Sequence, residues 1–481
     1  MVPSSPLPSS FASDPWTRGI QPLPAFLITI VLVAITVLLS FRSHSNLDDV
    51  PILNSGKGFS PMKIASKRDF VFKSKEILAR GRRLFAGKPY RLITDLGEII
   101  FLPIELCEEV KNDARLSFGT AFSRDFHGHI PGFEGASEQG YKDALIQTIT
   151  RKQLTRSIAQ DTPAMSEEAA ISMSMNIGEP DEWKEIHLKP VILETVARVS
   201  SRVFVGELCR DKKWIRTTMD YTVNFFIAAT YLRIIPGPLR RICHWFLPQC
   251  REARRQFDEA RRVIAPVIEK RRALRAEAQS AGRPPPNFHD AIDLVDQEAV
   301  DRGVSFDPAT FQLMLSVAAM HATVDLCTEF ILQLAASPQY FAPIREEVVR
   351  VLKADGWTEG SLYNMKLLDS ALKESQRHKP PGVASLRRRV EEEMTLSNGL
   401  VLKVGNRIAF DTYRMGDPEL HKEPEKWDPY RFLRMREQAK TETEALLVTT
   451  SPNHLAFGSW LHERCQPDRA HSDPEAQGDG D

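Results

Sequence analysis

The residues with the clearest capacity for chemistry stand near the C-terminus, where the chain reads HLAFGSWLHERC over residues 454–465. Cys465 brings a thiol whose ionised form can bind a metal, and Gly458, which follows Phe457, permits a tight loop with close backbone approach. Two upstream segments, ESQR at 374–377 and WDPYRF at 427–432, carry charged side chains. A protein that buries such charges must pair them.

Glu374 and Arg377 are three residues apart in a segment, 361–377, whose apolar residues recur at helical spacing. Such a pair lies on one helix face, and in isolation it is most simply a solvated surface pair that contributes little to stability. Pro380 and Pro381 predict that the helix ends just after the pair. Three consecutive arginines at 387–389 follow, for which a surface basic run is one interpretation.

The stretch 311–336, FQLMLSVAAMHATVDLCTEFILQLAA, is apolar enough to be a membrane span. However, His321, Asp325 and Glu329 recur every four residues, which predicts a polar stripe along one side of a helix. The stripe favours a core element of the protein over a membrane span. For His321, one alternative to a functional role is a core histidine bonded to a backbone carbonyl.

Taken in this order and at these approximate gaps, the three segments resemble the haem end of a cytochrome P450. The resemblance implies a mostly α fold with small β-sheets, a haem b cofactor, and Cys465 as its axial thiolate ligand. It implies that Phe457 and Gly458 belong to the haem-binding loop around this cysteine. It also implies that a buried triad of Glu374, Arg377 and Arg431 locks the core beneath the haem.

The resemblance assigns further residues to the haem and to oxygen. Arg387 would meet one haem propionate, and Arg151 falls where the family places a second propionate contact, although a solvated basic face explains Arg151 equally well. The sequence AAMHAT at 318–323 resembles a fungal variant of the helix that crosses the haem, and it implies that His321 and Thr323 help to deliver protons to bound oxygen. The family more often has its threonine at the position of Ala322, so the Thr323 hydroxyl is displaced by ~100° around the helix.

The cysteine loop departs from the family pattern. Trp460 stands where a second glycine is expected, Arg464 stands where the cysteine is expected, and Cys465 comes one residue later. We therefore expect an incomplete C-terminal part of the fold, followed by a disordered tail at 466–481. A frame slip or wrong splice near Ser459 is a hypothesis that explains this departure.

The elements that position these residues begin with an anchor. Residues 23–41 are almost wholly apolar and long enough to span a bilayer as one helix. A cleaved signal peptide and a buried core helix are the alternatives. Basic residues gather after the run, which predicts a cytosolic domain. We expect a disordered N-terminus at 1–22 and one P450-like haem domain at 48–465.

Composition and local patterns bound the rest. The 481 residues contain 63 Lys and Arg against 63 Asp and Glu, so no global charge favours a nucleic-acid partner. Six scattered cysteines suit free thiols in a reducing compartment. Helical patterns dominate, with β-like segments at 90–102 and 396–409, the second resembling a hairpin that turns at Asn398-Gly399. The segment 231–247 fits a membrane-interface element, or else a loop buried on the domain.

The resemblance implies a membrane-bound haem-thiolate monooxygenase of the endoplasmic reticulum. Its partners would be NADPH–cytochrome P450 reductase, membrane lipid and an apolar small molecule, with a terpenoid or meroterpenoid of fungal secondary metabolism as the substrate class. One alternative is a catalytically impaired or inactive paralogue of the same fold. A second is a membrane-anchored helical scaffold without a cofactor, against which the charged triad argues.

Overall fold

The computed structural model describes residues 50–55, 63–137, 155–439 and 441–456. Several sequence predictions lie outside these residues and stay predictions: the N-terminus 1–22, the membrane helix 23–41, Arg151, Phe457, Gly458, Cys465 and the tail 466–481. The described part of the haem domain predicted for 48–465 is mostly helical with small sheets, as expected.

The helices of the described residues are numbered here in chain order. They are α1 Ile64–Leu84, α2 Cys107–Val110, α3 Phe118–Asp125, α4 Thr155–Asn176, α5 Leu188–Val205, α6 Lys212–Ile234, α7 Gly237–Cys243, α8 Pro248–Ser280, α9 Ala291–Arg302, α10 Pro308–Ala336, α11 Phe341–Asp355, α12 Glu359–Asn364, α13 Lys366–His378 and α14 Arg431–Arg436. Short 3-10 turns connect several of them.

The strands form two small sheets. They are β1 Tyr90–Thr94, β2 Gly97–Phe101, β3 Leu116–Ser117, β4 Ala384–Val390, β5 Met394–Thr395, β6 Val401–Leu402 and β7 Arg407–Asp411. The larger sheet has the order β1-β2-β7-β4-β3, in which β2 and β7 run parallel and the other neighbours run antiparallel. The smaller sheet pairs β5 with β6, and Gly399 in the turn between them has φ +83°, a value that favours glycine. The predicted hairpin is therefore confirmed.

Helix α10 runs through the helical core. Among the described residues it is the helix that is long and apolar enough to cross a membrane. It nevertheless packs against α5, α6, α8 and α13, and its side chains Leu313, Val317 and Met320 belong to the largest apolar cluster of the described residues. Burial against protein on several sides makes α10 a core helix, as its polar stripe predicts.

One predicted helical segment differs from its expected bounds. The segment 361–377 is divided between α12 and α13, because Met365 leaves the helical region with φ −79° and ψ 63°. The carboxylate of Glu347 on α11 then accepts hydrogen bonds from the backbone N–H groups of Leu367 and Leu368, at 2.9 Å each. These bonds satisfy donors that the first turn of a helix leaves without a partner, and they define where α13 begins.

Candidate active site

The triad predicted from the sequence is assembled in the structure. Arg377 donates to both carboxylate oxygens of Glu374, with Nε–Oε2 at 2.8 Å and Nη2–Oε1 at 2.9 Å. Arg431, from the start of α14, places its Nε 3.1 Å from each of the same oxygens. The backbone N–H of Asp428 donates a further bond of 3.2 Å. Glu374 is completely buried, so the surface-pair alternative does not describe these residues.

The two arginines also hold the backbone around them. Arg377 donates to the carbonyl oxygens of Met415 and Pro424 at 2.7 and 2.6 Å, and Arg431 donates to that of Lys422 at 2.8 Å. The two guanidiniums thus join α13 and the start of α14 to the segment 415–424 between β7 and α14. A buried charged group must be paired and fully hydrogen-bonded to be tolerated, and this triad meets that condition.

Charge neighbours control the ionisation of Glu374. Burial by itself would raise the pKa of this carboxyl group, but the hydrogen bonds from Arg377, the adjacent His378 Nε2 at 3.4 Å and the charges of Arg377 and Arg431 outweigh burial. Together they lower the pKa from 4.5 to about 2. Glu374 therefore remains a carboxylate throughout the physiological pH range.

A second buried polar face of α13 was not predicted from the sequence. Asp369, Lys373 and Gln376 follow one another at helical spacing and point to the segment that precedes the predicted cysteine loop. Lys373 Nζ donates to the carbonyl oxygens of Leu446 and Thr449 at 2.6 and 2.8 Å. The only sequence signal was this polar spacing, and polar residues at such spacing usually face water.

The histidine that opens the predicted loop lies on this face. His454 is buried, and its Nε2 lies 2.8 Å from Gln376 Oε1. Burial holds the pKa of His454 well below its ordinary value of 6.5, with further lowering from the charge of Lys373. A neutral imidazole is the form that suits a buried position beside cations.

The predicted oxygen-side residues lie on different sides of α10. His321 Nε2 is 3.2 Å from the carbonyl oxygen of Thr222 on α6, and its ring meets Phe226 edge-on at 4.2 Å between centroids. Thr323 is exposed, as is Ala318. Helix residues that are two positions apart are separated by ~200° around the axis, so His321 and Thr323 do not point to the same place. His321 thus occupies the position of the alternative, a histidine bonded to a backbone carbonyl.

The rest of the polar stripe contacts other protein elements. Asp325 accepts a bond of 2.7 Å from Lys189 at the start of α5. Glu329 accepts from Gln333 at 2.7 Å and lies 3.7 Å from Lys379. Around the middle of α10, the side that faces away from the core presents small side chains, because Ala318 is exposed while Ala319 and Ala322 are half-buried.

Arg387 is presented by a distortion of the sheet. The pairing of β4 with β7 shifts register between Ser385 and Arg388, and Leu386 has φ +51°. Such bulges re-aim a side chain. The Arg387 guanidinium donates to Asp125 Oδ2 at 3.0 Å and keeps 30% of its side chain exposed. The next arginine, Arg388, is buried and lies over the Phe118 ring, so the surface-run interpretation is wrong for it.

These residues fit a haem. A broad planar group needs a helix face without bulky side chains, which α10 has at Ala318, Ala319 and Ala322. Its carboxylates need a cation with free donors, and Arg387 makes one hydrogen bond to another described side chain. Beside the predicted loop, the buried atoms Gln376 Nε2 and His454 Nδ1 have no partner among the described residues. Arg387 would hold a propionate, and Phe457, Gly458 and Cys465 stay the predicted residues of the haem-binding loop.

The five cysteines of the described residues are all free thiols. Burial raises the pKa of Cys209 and of Cys250 to about 11, and it also raises the pKa of Cys327 on α10. A thiol with a raised pKa is a poor source of thiolate.

Comparison with known proteins agrees with this geometry. The cytochrome P450 family model matches residues 122–459. The cytochrome P450 monooxygenase hepE of Aspergillus oryzae is 37% identical over 459 residues, which cover 94% of this chain and 84% of that protein. Cytochrome P450 monooxygenase 1 of Gibberella fujikuroi is 40% identical over 376 residues, covering 78% and 85%. TRI1 of Fusarium sporotrichioides, also a cytochrome P450 monooxygenase, is 34% identical over 417 residues, covering 86% and 76%.

The fold has a solved counterpart. The retinoic acid-bound cyanobacterial CYP120A1 superposes with a TM-score of 0.55 and covers 85% of this chain and 87% of that one, at 17% sequence identity. At this identity the likeness concerns the fold alone. The helical core, the small sheets and the fungal relatives all indicate the same family. The cofactor of that family is a haem iron with a thiolate ligand. The chain belongs to the cytochrome P450 family of oxidoreductases.

Proposed function

We propose that the protein is a membrane-bound haem-thiolate monooxygenase that inserts oxygen into an apolar small molecule. The observation that carries this proposal is the small-residue side of α10, with Ala318, Ala322 and Thr323 turned away from the packed core. Electrons would come from NADPH–cytochrome P450 reductase. A terpenoid or meroterpenoid of fungal secondary metabolism is the proposed substrate class, supported by the AAMHAT sequence and by relatives that are fungal enzymes.

A haem with a thiolate ligand, when bound, supplies the activation of oxygen. The residues of the chain then have separate tasks. Thr323 offers a hydroxyl on the small-residue side of α10, which makes it the better supported of the two predicted proton donors. A backbone carbonyl only accepts, so His321 carries its proton on Nε2 and keeps Nδ1 as an acceptor. Through Nδ1, His321 remains a predicted member of the proton path.

Membrane attachment is supported by a large exposed apolar surface. Ile234, Ile242 and Phe246 expose 73%, 61% and 75% of their surface, and Trp245 lies beside them. This surface, which we name the α6–α7 surface (residues 231–247), favours the interface interpretation over a buried loop. Apolar patches of this kind mark interaction sites on proteins that are otherwise well packed.

Helix α1 extends the same surface towards the predicted anchor. Burial lowers the pKa of Lys67 on α1, and the charge of Arg240 on α7 lowers it further. The two helices therefore lie close together here. The N-terminal described segment contacts α1 as well, because Ser66 Oγ donates to the carbonyl oxygen of Asn54 at 2.7 Å. Val50 is nine residues beyond the apolar run that ends at Phe41, a gap that spans at most ~30 Å. The bilayer is therefore the proposed occupant of the surface.

The alternative function, an impaired or inactive P450, is favoured by a specific observation. The family match ends at residue 459, one residue before Trp460 and six before Cys465. A bulky side chain at the position of the second glycine opposes the close backbone approach that the loop requires. Both functions predict the same fold, so only haem ligation separates them.

The test is the absorption spectrum of the full-length chain, reduced and bound to carbon monoxide. A red-shifted, thiolate-type Soret band that is lost in Cys465→Ser supports the monooxygenase. Absence of that band, with Cys465→Ser behaving identically, supports the impaired paralogue. In that case, replacing residues 459–465 by a loop with the family spacing of glycine and cysteine is expected to produce the band.

A further inference from the structure

The segment 441–456, which leads into the predicted cysteine loop, has no helix or strand of its own. The hydrogen bonds between its own backbone groups are short-range, such as Thr449 N–H to the carbonyl oxygen of Leu446 at 3.0 Å and the reciprocal bridge between Ser451 and His454. Local turns of this kind do not fix a segment relative to its surroundings. Its position must therefore be set by contacts from elsewhere.

Helix α13 supplies those contacts at three successive points. The Asp369 carboxylate accepts from the backbone N–H of Leu447, with the shorter distance 3.2 Å to Oδ2. Lys373 donates to the carbonyl oxygens of Leu446 and Thr449. Gln376 Oε1 lies 2.8 Å from His454 Nε2. The order along the helix matches the order along the segment, so each turn of α13 holds the next part of the chain.

Lys373 is the central contact and the least expected one. Its side chain is completely buried, which is rare for lysine. Its Nζ also lies 5.4 Å from the centre of the Phe432 ring, and burial lowers the pKa of the amine to about 7 against the opposing charges of Asp369 and Glu444. Burying an amine without acceptors is costly. The two carbonyl oxygens of the segment are thus the groups that make this position tolerable, and in turn the amine fixes them.

We propose that Lys373 is a positioning residue for the cysteine loop: it sets the position of residues 446–454 on α13, and so the point from which the loop departs. The triad on the neighbouring face of α13 holds a different stretch of chain. The proposal rests on the proposed function only in assigning the thiolate to that loop. Its first prediction, local ordering of the segment, does not depend on bound haem.

The experiment is hydrogen exchange of the full-length protein, read by mass spectrometry, for Lys373→Met against the wild type. Methionine keeps the chain length but removes the donors. Amides of Leu447, Thr449, Ser451 and His454 are expected to exchange about tenfold faster or more, because both bonds that the Lys373 amine donates to the segment are lost. Amides of α10 are expected to stay within about twofold of wild type. Lys366→Met, an exposed lysine at the start of the same helix, is the matched control.

Two results overturn the proposal: unchanged exchange across 446–454, or an equal rise in every element, which is the signature of general destabilisation. If Lys373→Met does not fold, Lys373→Gln is read by the same criteria, since it keeps a shorter neutral donor. Titration with haem forms a separate arm, in which Lys373→Met is expected to weaken the thiolate-type Soret band relative to wild type. A wild type that lacks the band refutes the proposed function, while the exchange result still decides the role of Lys373.

Discussion

At Glu374, two guanidinium groups and a backbone N–H converge on one carboxylate that has no contact with solvent. The arginines in turn donate to carbonyl oxygens of the loop before α14. Removing one member leaves a buried charge without its partner, and this loss costs far more than the intact network contributes over an apolar replacement. The triad is therefore most sensitive to single substitutions.

The first prediction concerns Arg431. Arg431→Met is expected to lower the free energy of unfolding by ~3 kcal/mol or more, because Glu374 keeps its burial but loses one cation. Arg434→Met is the control on the same helix, since Arg434 is 57% exposed and pairs with Asp428 at the surface. Its expected effect is ~1 kcal/mol or less. Urea denaturation measures both, and equal effects would contradict a structural role of the triad.

The second prediction is the pH dependence of Glu374. Its pKa is lowered to about 2 in the folded protein from the ordinary value of 4.5. A lowered pKa means that the stabilisation is complete above pH ~4.5 and is lost as the pH falls towards 2, up to ~3 kcal/mol. The stability difference between wild type and Glu374→Gln is thus expected to shrink over this range. A difference that stays constant from pH 5 to the lowest pH at which both proteins fold would refute the assignment.

At the scale of elements, α10 carries its polar contacts and its small residues next to each other. The side with His321 and Asp325 joins α10 to α6 and α5 through polar contacts. Ala318 and Ala322 lie three residues before His321 and Asp325, on the same half of the helix. Polar contacts fix the rotation of an otherwise apolar helix, since apolar packing alone discriminates weakly between neighbouring rotations. The polar contacts therefore set the direction in which Ala318 and Ala322 face.

The third prediction tests the small residues of α10. Ala322→Phe is expected to lower haem uptake at least about tenfold while the helical circular dichroism is retained, because a ring of this size fills the face that the cofactor needs. Ala335→Phe places the same ring at the exposed end of α10 and is the control. Titration of the purified protein with haem gives the comparison. Equal uptake by the two variants would show that the cofactor lies elsewhere.

At the scale of the whole molecule, the apolar α6–α7 surface gives the domain a defined side towards a bilayer. The fourth prediction is that Trp245 fluorescence of the full-length protein in vesicles is quenched by brominated lipids. Aromatic side chains at an interface sit at the level of the headgroups and adjacent acyl chains. Trp245→Phe is expected to abolish the quenched component, whereas Trp357→Phe, on the loop between α11 and α12, should retain it. Full retention in Trp245→Phe would place the membrane on another side.

The sequence was sufficient where a pattern is local. The apolar run 311–336 predicted α10 to within three residues, and the spacing of Glu374 and Arg377 predicted their shared helix face. Contacts between distant segments were beyond such patterns. Lysine is ordinarily exposed, and the segment 441–456 that covers Lys373 has no periodic pattern. The burial of Lys373 could therefore not be predicted from the sequence. Spacing likewise gave the direction of His321 relative to its helix but not the carbonyl of Thr222 that meets it.

The parallel pairing of β2 with β7 determines when the protein can finish folding. Arg407 on β7 bonds to the backbone of Leu96 beside β2, 311 residues earlier in the chain. A ribosome needs ~15–60 s to make that stretch, and a lone hairpin such as β1–β2 is marginally stable until its neighbour arrives. The larger sheet is therefore completed only after β7 has been synthesised. Substitutions in β7 are accordingly expected to lower the yield of folded protein more than they lower the stability of the molecules that do fold.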